Sequence, residues 1–125
     1  MAEDKLLHRK LSFDVVGCAQ RVHSELGPGF PESVYHRALC VELAAARIPF
    51  ETEKSVQVFY RKALCGEFRC DIVVDGCVVL ELKAIDRLSD EHIAQALSYL
   101  KATGLRLAIL INFGTGSLET RRVVL

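Results

Sequence analysis

The stretch DIVVDGCVVLELKAID, residues 71–86, reads as two strands folded back on each other about Asp75-Gly76. Runs of Val, Ile and Leu flank a dipeptide that favours tight turns. Such a hairpin decides which side chains share a face, because neighbours along a strand alternate and a slip of one residue exchanges the faces. A two-residue turn would pair Val74 with Cys77 and put Asp71 on the face opposite Glu81. A three-residue loop, Val74-Asp75-Gly76 with Gly76 left-handed, pairs Val73 with Cys77 instead. Asp71, Val79, Glu81 and Lys83 then share one face, and Ile72, Val74, Val78, Leu80 and Leu82 form an unbroken apolar face opposite. The second register sorts every charge onto one side and is the expected one. Charges in an otherwise apolar strand are costly to desolvate, so these three need partners or a task.

The rest of the chain supplies elements to pack against this hairpin. A first helix is expected from Ser12, a good N-cap, to about Leu26, with Val15, Ala19, Val22 and Leu26 on one face. Gly27-Pro28-Gly29 ends it. A second helix is expected from Pro31, favoured at a first helical position, to Arg47, with Val34, Leu39 and Leu43 inward. Strands are expected over 56–60, 67–74 and 77–85. A third helix fits Ser89 to Thr103, followed by a buried strand over 106–113 and a short edge strand over 120–125. The order is helix, helix, three strands, helix, strand, strand. The fold class is therefore α/β, a mixed sheet flanked by helices.

At 125 residues, half of them apolar, the chain is expected to form one domain over residues 1–125. Its formal net charge is zero, which argues against a coat protein that binds nucleic acid by neutralising many phosphates. A local patch on an enzyme is not excluded. Cys18, Cys40, Cys65, Cys70 and Cys77 lack the close spacing of a metal site and read as reduced, mostly buried thiols. MAEDKLLHRK has no apolar run of the kind a signal peptide needs, and no stretch is long enough to cross a bilayer. A soluble, cytoplasmic protein with no membrane partner is expected.

Two carboxylates on neighbouring strands, with a lysine two residues beyond one of them, suit hydrolysis at phosphorus. Asp71 and Glu81 are hard oxygen ligands of the kind that hold Mg²⁺, with Mn²⁺ able to substitute. Lys83, about 7 Å along the strand from Glu81, can orient a water or stabilise an anionic transition state. A solvated Glu81–Lys83 ion pair is the plainer alternative. Against it stand Gln95 and Tyr99, at i and i+4 on the helix that follows. GFPESVYHRAL likewise puts Glu32, Tyr35 and His36 at one helix start, although Glu32 also suits a helix N-terminus electrostatically.

Gly29-Phe30-Pro31-Glu32-Ser33-Val34-Tyr35 resembles the motif that names the GxxExxY proteins, a branch of the PD-(D/E)XK nuclease superfamily. The resemblance extends to VHSELGPGF, GEFRCD, LELKAID, SYLKATG and LINFG, nearly the whole chain. It implies a restriction-endonuclease-like core with Asp71, Glu81 and Lys83 as its catalytic set. Gln95 and Tyr99 look like the QxxxY element of the RecB-like and lambda-exonuclease-like branches. In those branches an acidic residue of the preceding helix joins the site, and Glu32 is its match here. Cys70 departs from the pattern, standing where the superfamily has proline.

The expected function is a Mg²⁺-dependent nuclease acting on nucleic acid, DNA in the first instance. Asp71, Glu81 and Glu32 would be metal-site acids, and Gln95, Tyr99 and Tyr35 would orient substrate or support the site. Arg69 and Arg87 are the expected phosphate contacts. The competing readings are a binding module on the same fold that cleaves nothing, and an interaction protein that uses an exposed strand edge. A chain of this size with no appended DNA-binding domain is expected to work as a homodimer or with a partner protein. His92 and His36 have weaker claims on the site, and His8 and His23 have none.

Overall fold

The computed structural model describes residues 7–125; the first six, part of the stretch read for a leader, lie outside the described residues. The first helix, α1, spans Arg9–Leu26 with His8 at its N-cap. It begins three residues before the serine expected to cap it. Ser12 N donates to His8 O at 2.8 Å, so Ser12 belongs to the first turn. Val15, Cys18, Ala19 and Val22 recur at helical spacing and are buried. α2 spans Glu32–Ala45 behind an extended Pro31, and its inward stripe is Tyr35, Leu39 and Leu43. Val34, expected to lead that stripe, is half-buried.

Five strands follow: β1 (Phe50–Tyr60), β2 (Ala63–Val74), β3 (Val78–Lys83), β4 (Leu107–Asn112) and β5 (Glu119–Val124). They lie in the sheet in chain order, antiparallel except for the parallel pair β3–β4. A parallel pair needs a long crossover. α3 (Asp90–Thr103) provides it and packs on the sheet face opposite α1 and α2. Covered on both faces, β4 buries all six of its residues, as its run of apolar residues requires. The element order is the one expected, and the sheet is mixed and flanked by helices.

The hairpin differs from expectation in one step. The pairs are Val74–Val78, Val73–Val79 and Ile72–Leu80. Asp75 and Gly76 both take positive φ, 51° and 64°, as a tight turn of the primed type demands. Cys77 N donates to Val74 O at 2.9 Å, and Cys77 is then the extra residue. The expected Val73–Cys77 pairing is offset by two residues, which leaves the faces unchanged. Ile72, Val74, Val78, Leu80 and Leu82 face α1 and α2, while Val73 and Val79 face Ala96 and Leu100 of α3.

β1 is much longer than the expected five residues, and it changes face part-way along. Phe50 joins the core under α1 and α2, whereas Val56, also even-numbered, joins the core under α3. On β2, Ile72 and Val74 lie on the first side, but Phe68 and Cys70 lie on the second. Between these sets, Glu53 takes φ 51° and the β1–β2 ladder skips the Glu53–Asp71 step. A left-handed residue inside a strand breaks the alternation and twists the pair. Asp71 thus sits at the point where the strand pair rolls over. No described helix is long and apolar enough to cross a membrane.

Candidate active site

Asp71 and Glu81 meet because the β2–β3 ladder stops between them. Beyond Ile72–Leu80, Asp71 no longer pairs through its backbone. Its Oδ2 accepts a hydrogen bond from Leu82 N at 2.8 Å, so a side chain occupies the place of a ladder bond. Glu81 precedes Leu82 and is 4% exposed, with Oε1 buried and without a hydrogen-bond partner among the described residues. Lys83 is half-buried two residues on. Its backbone O accepts from Phe113 N at 2.8 Å, which fixes the strand end.

The electrostatics tie four side chains into one cluster. Burial pushes the Glu81 carboxyl up to about 8; Asp71 and Glu32 push it the same way, and Lys83 opposes them. Asp71 is also raised, first by burial, with the Leu82 amide, His36 and Lys83 pulling it down and Glu53 pushing it up. Burial and then Asp71 raise Glu32, at the first turn of α2, against Lys83 and His36. Like charges held in a desolvated place disfavour each other's ionisation. A cation between them would relieve all three.

Glu32, Ser33 and His36 of α2 form one wall of a cleft of about 310 Å³, and Glu53 and Asp71 form the other. His36 Nε2 lies 3.1 Å from Asp71 O, a hydrogen bond that ties α2 to β2. Tyr99 of α3 approaches from the other side of the sheet. Burial, then Glu81, Cys70 and Asp71, raise its hydroxyl. Its ring stacks on Phe68 with centroids 4.0 Å apart. Gln95 is exposed on the preceding turn of α3. Arg69 and Arg87 are exposed, on β2 and in the segment after β3.

Two expected site residues have structural duties. Tyr35 is fully buried, so it does not touch substrate. Its hydroxyl donates to Gly27 O at 2.5 Å and accepts from Phe30 N at 3.1 Å, and its ring stacks on Phe113. It holds the Gly27–Phe30 loop that presents Glu32. His92 caps α3, its Nδ1 accepting from Ser89 N at 3.0 Å.

A family model described as the PD-(D/E)XK nuclease superfamily matches residues 9–123. The chain belongs to that superfamily. Among solved structures, the crystal structure of SSO0001 is similar, with 19% sequence identity and a TM-score of 0.56. The match covers 74% of this chain and 48% of that one, so this chain spans about half the length of its structural relative. At that identity the likeness shows the fold alone. No curated protein matches the chain significantly. Asp71 on β2 and Glu81 and Lys83 on β3 stand on adjoining strands of a sheet with helices on both faces.

Three residues at or near the site went unnoticed in the sequence. Glu53 gives no signal in its polar surroundings, yet its backbone bends the strand that faces Asp71. Asn112, fully buried at the end of β4, accepts from Ile85 N and Gly114 N and donates to Ile85 O and Glu119, all at 3.0 Å. Glu119 also accepts from Leu88 N at 3.0 Å. The hydrogen bond from Asn112 holds the Glu119 carboxyl below its usual range. Together these bonds pin the segment that leaves Lys83. A polar residue closing the run LAILI was the available clue, since a buried Asn needs partners for both ends of its amide.

The donor chemistry fits a hard divalent ion. Glu81 Oε1 is orphaned, and burial raises the Glu81, Asp71 and Glu32 carboxyls, a penalty that a bound cation would offset. Among the described residues, no group of three or more His, Cys, Asp and Glu stands ready to hold an ion unaided.

Proposed function

We propose that this chain is a metal-dependent nuclease that hydrolyses phosphodiester bonds in DNA. The observation that carries the reading is the buried, unpartnered Glu81 Oε1 beside Asp71, with Lys83 on the same strand. Burying a neutral polar atom without a hydrogen-bond partner costs ~2–7 kcal/mol and burying an ionised carboxylate costs more, so Glu81 is expensive to keep where it is. Membership of a nuclease superfamily supports the reaction class, and nucleic acid as the partner follows from it.

Asp71 and Glu81 would hold Mg²⁺, with Mn²⁺ as a substitute, and Glu32 would complete the acidic site through water. The ion supplies charge neutralisation at the phosphate and a lowered pKa for water. Lys83 holds the attacking water, or the negative charge that grows on phosphorus-bound oxygen, within reach of both carboxylates. Water oxygen bonds to phosphorus, one ester oxygen departs, and the proton lost by the water ends on the departing oxygen. Gln95 and Tyr99 line the α3 side and orient the strand. Arg69 and Arg87 contact phosphates that flank the scissile one.

The test is cleavage of labelled single- and double-stranded DNA and RNA with Mg²⁺, Mn²⁺ or EDTA. Wild type runs beside Asp71→Asn, which keeps an acceptor for Leu82 N, and Lys83→Ala. Cleavage that needs metal and falls at least ~100-fold in both variants is expected. Cleavage unchanged in either variant, or none with any metal, refutes the assignment.

A further inference from the structure

The outer part of the β1–β2 hairpin reaches beyond the helices and carries apolar side chains without cover. Phe59 is 58% exposed, Tyr60 64%, Leu64 57% and Val58 38%. Between this arm and α3 runs an open groove of about 550 Å³, lined by Val58, Phe59, Phe68, Tyr99 and Ala102 with Lys101 at its rim. Apolar surface gathered in one concave place marks a binding site more often than chance exposure does. Phe68 and Tyr99 stack nearly parallel, at 14°, and line the groove as one half-buried aromatic unit. Tyr99 lines the groove and its hydroxyl also feels the Glu81 and Asp71 carboxyls, so one side chain links the groove to that cluster.

Charge selects the occupant. The whole chain is neutral, but residues 56–69 carry Arg61, Lys62 and Arg69 against Glu67 alone, and Lys101 adds to them across the groove. Arg61 already lies over the Tyr60 ring, 5.4 Å from its centroid. Aromatic faces interleaved with cations suit a polyanion that offers flat apolar rings, which is an unpaired nucleic-acid strand. A duplex hides its base faces in the stack. Two copies meeting arm to arm would set Arg61 and Lys62 against themselves.

We propose that the groove between the β1–β2 hairpin and α3 binds the unpaired bases of a single-stranded nucleic acid and feeds that strand to the Asp71–Glu81–Lys83 cluster. The feeding step rests on the nuclease reading, whereas the binding step does not.

Binding is measured in EDTA by fluorescence anisotropy, at low and moderate salt. The probes are a labelled 20-mer of thymidine, its DNA duplex and a uridine 20-mer. Wild type is compared with Phe59→Ala, Lys101→Glu and the control Phe13→Ala, whose side chain is 77% exposed on α1. Both single strands are expected to bind tighter than the duplex. Phe59→Ala should weaken single-strand binding at least about fivefold, the loss of one stacked base. Lys101→Glu should weaken it and flatten the salt dependence, and Phe13→Ala should change nothing. Equal or tighter binding of the duplex overturns the proposal. So does a Phe59→Ala protein that binds as well as wild type, or one in which only a dimer is lost. Weakened binding alongside no metal-dependent cleavage keeps the groove and removes the nuclease; cleavage that needs Asp71 and Lys83 with Phe59→Ala binding unchanged does the reverse.

Discussion

Glu81→Gln should remove a fall in stability with rising pH from the metal-free protein. The folded chain holds the Glu81 proton up to about pH 8, whereas an unfolded chain releases it near 4.5. Between those limits the folded state binds more protons, so stability falls as pH rises. Below pH 4.5 that contribution is fully present, and it is lost by the time the pH has passed about 8. The interval corresponds to about 5 kcal/mol, at roughly 1.4 kcal/mol per pH unit. Water entering the site would reduce it, so this is a ceiling. Glutamine carries no proton to lose, and the variant should become the more stable of the two above pH 8. Urea unfolding in EDTA at intervals from pH 5 to 9 reads the difference directly. Saturating Mg²⁺ at pH 9 should then stabilise wild type far more than Glu81→Gln, because the ion takes the ionised carboxylate. Parallel stability curves for the two proteins across this range would refute the burial argument.

Other outcomes follow from the packing around the site. A Cβ added at Gly114 would stand 2.4 Å from both Ile85 N and Ile85 O, so Gly114→Ala should cost about 3 kcal/mol in urea unfolding. Asn112→Ala leaves the Ile85 and Gly114 amides without their acceptor and should cost roughly 3 kcal/mol; activity should fall further than stability predicts, because the segment beyond Lys83 is freed. Burial, then Glu81 and Asp71, push the Cys70 thiol up to about 11, so iodoacetamide at pH 8 should label exposed Cys65 and spare Cys70 until the protein unfolds, as peptide mass mapping would show.

The elements that sequence revealed were those whose burial differs between faces or runs unbroken. β3 and β4 are apolar runs, and α1 and α3 carry clear stripes, so their order and the α/β class were legible. The sorting of charge across the hairpin singled out Asp71, Glu81 and Lys83 as a group, and the three interact electrostatically in the fold although the register is offset by two residues. The first half of β1 was hidden because Glu51, Thr52, Glu53 and Lys54 lie on an exposed edge strand, where no core imposes alternation. The bulged turn at Cys77 and the roll at Glu53 are backbone events without a signature in residue type. Tyr35 was read towards the site because its helix face points there, but its partners lie in a loop and a distant strand that only the fold brings near.

The hydrogen bond from Leu82 to Asp71 makes one side chain both reagent and fastener. A copy of this chain released from selection for cleavage could shed Lys83 at little structural cost. It could not shed the acceptor at position 71 so freely, because the strand fork would lose its only clasp among the described bonds at that step. Asparagine keeps that acceptor and gives up the charge. Silent descendants of such an enzyme should therefore carry Asp or Asn at this position long after the lysine has drifted, and the order in which the residues disappear would record which of them the fold had also put to use.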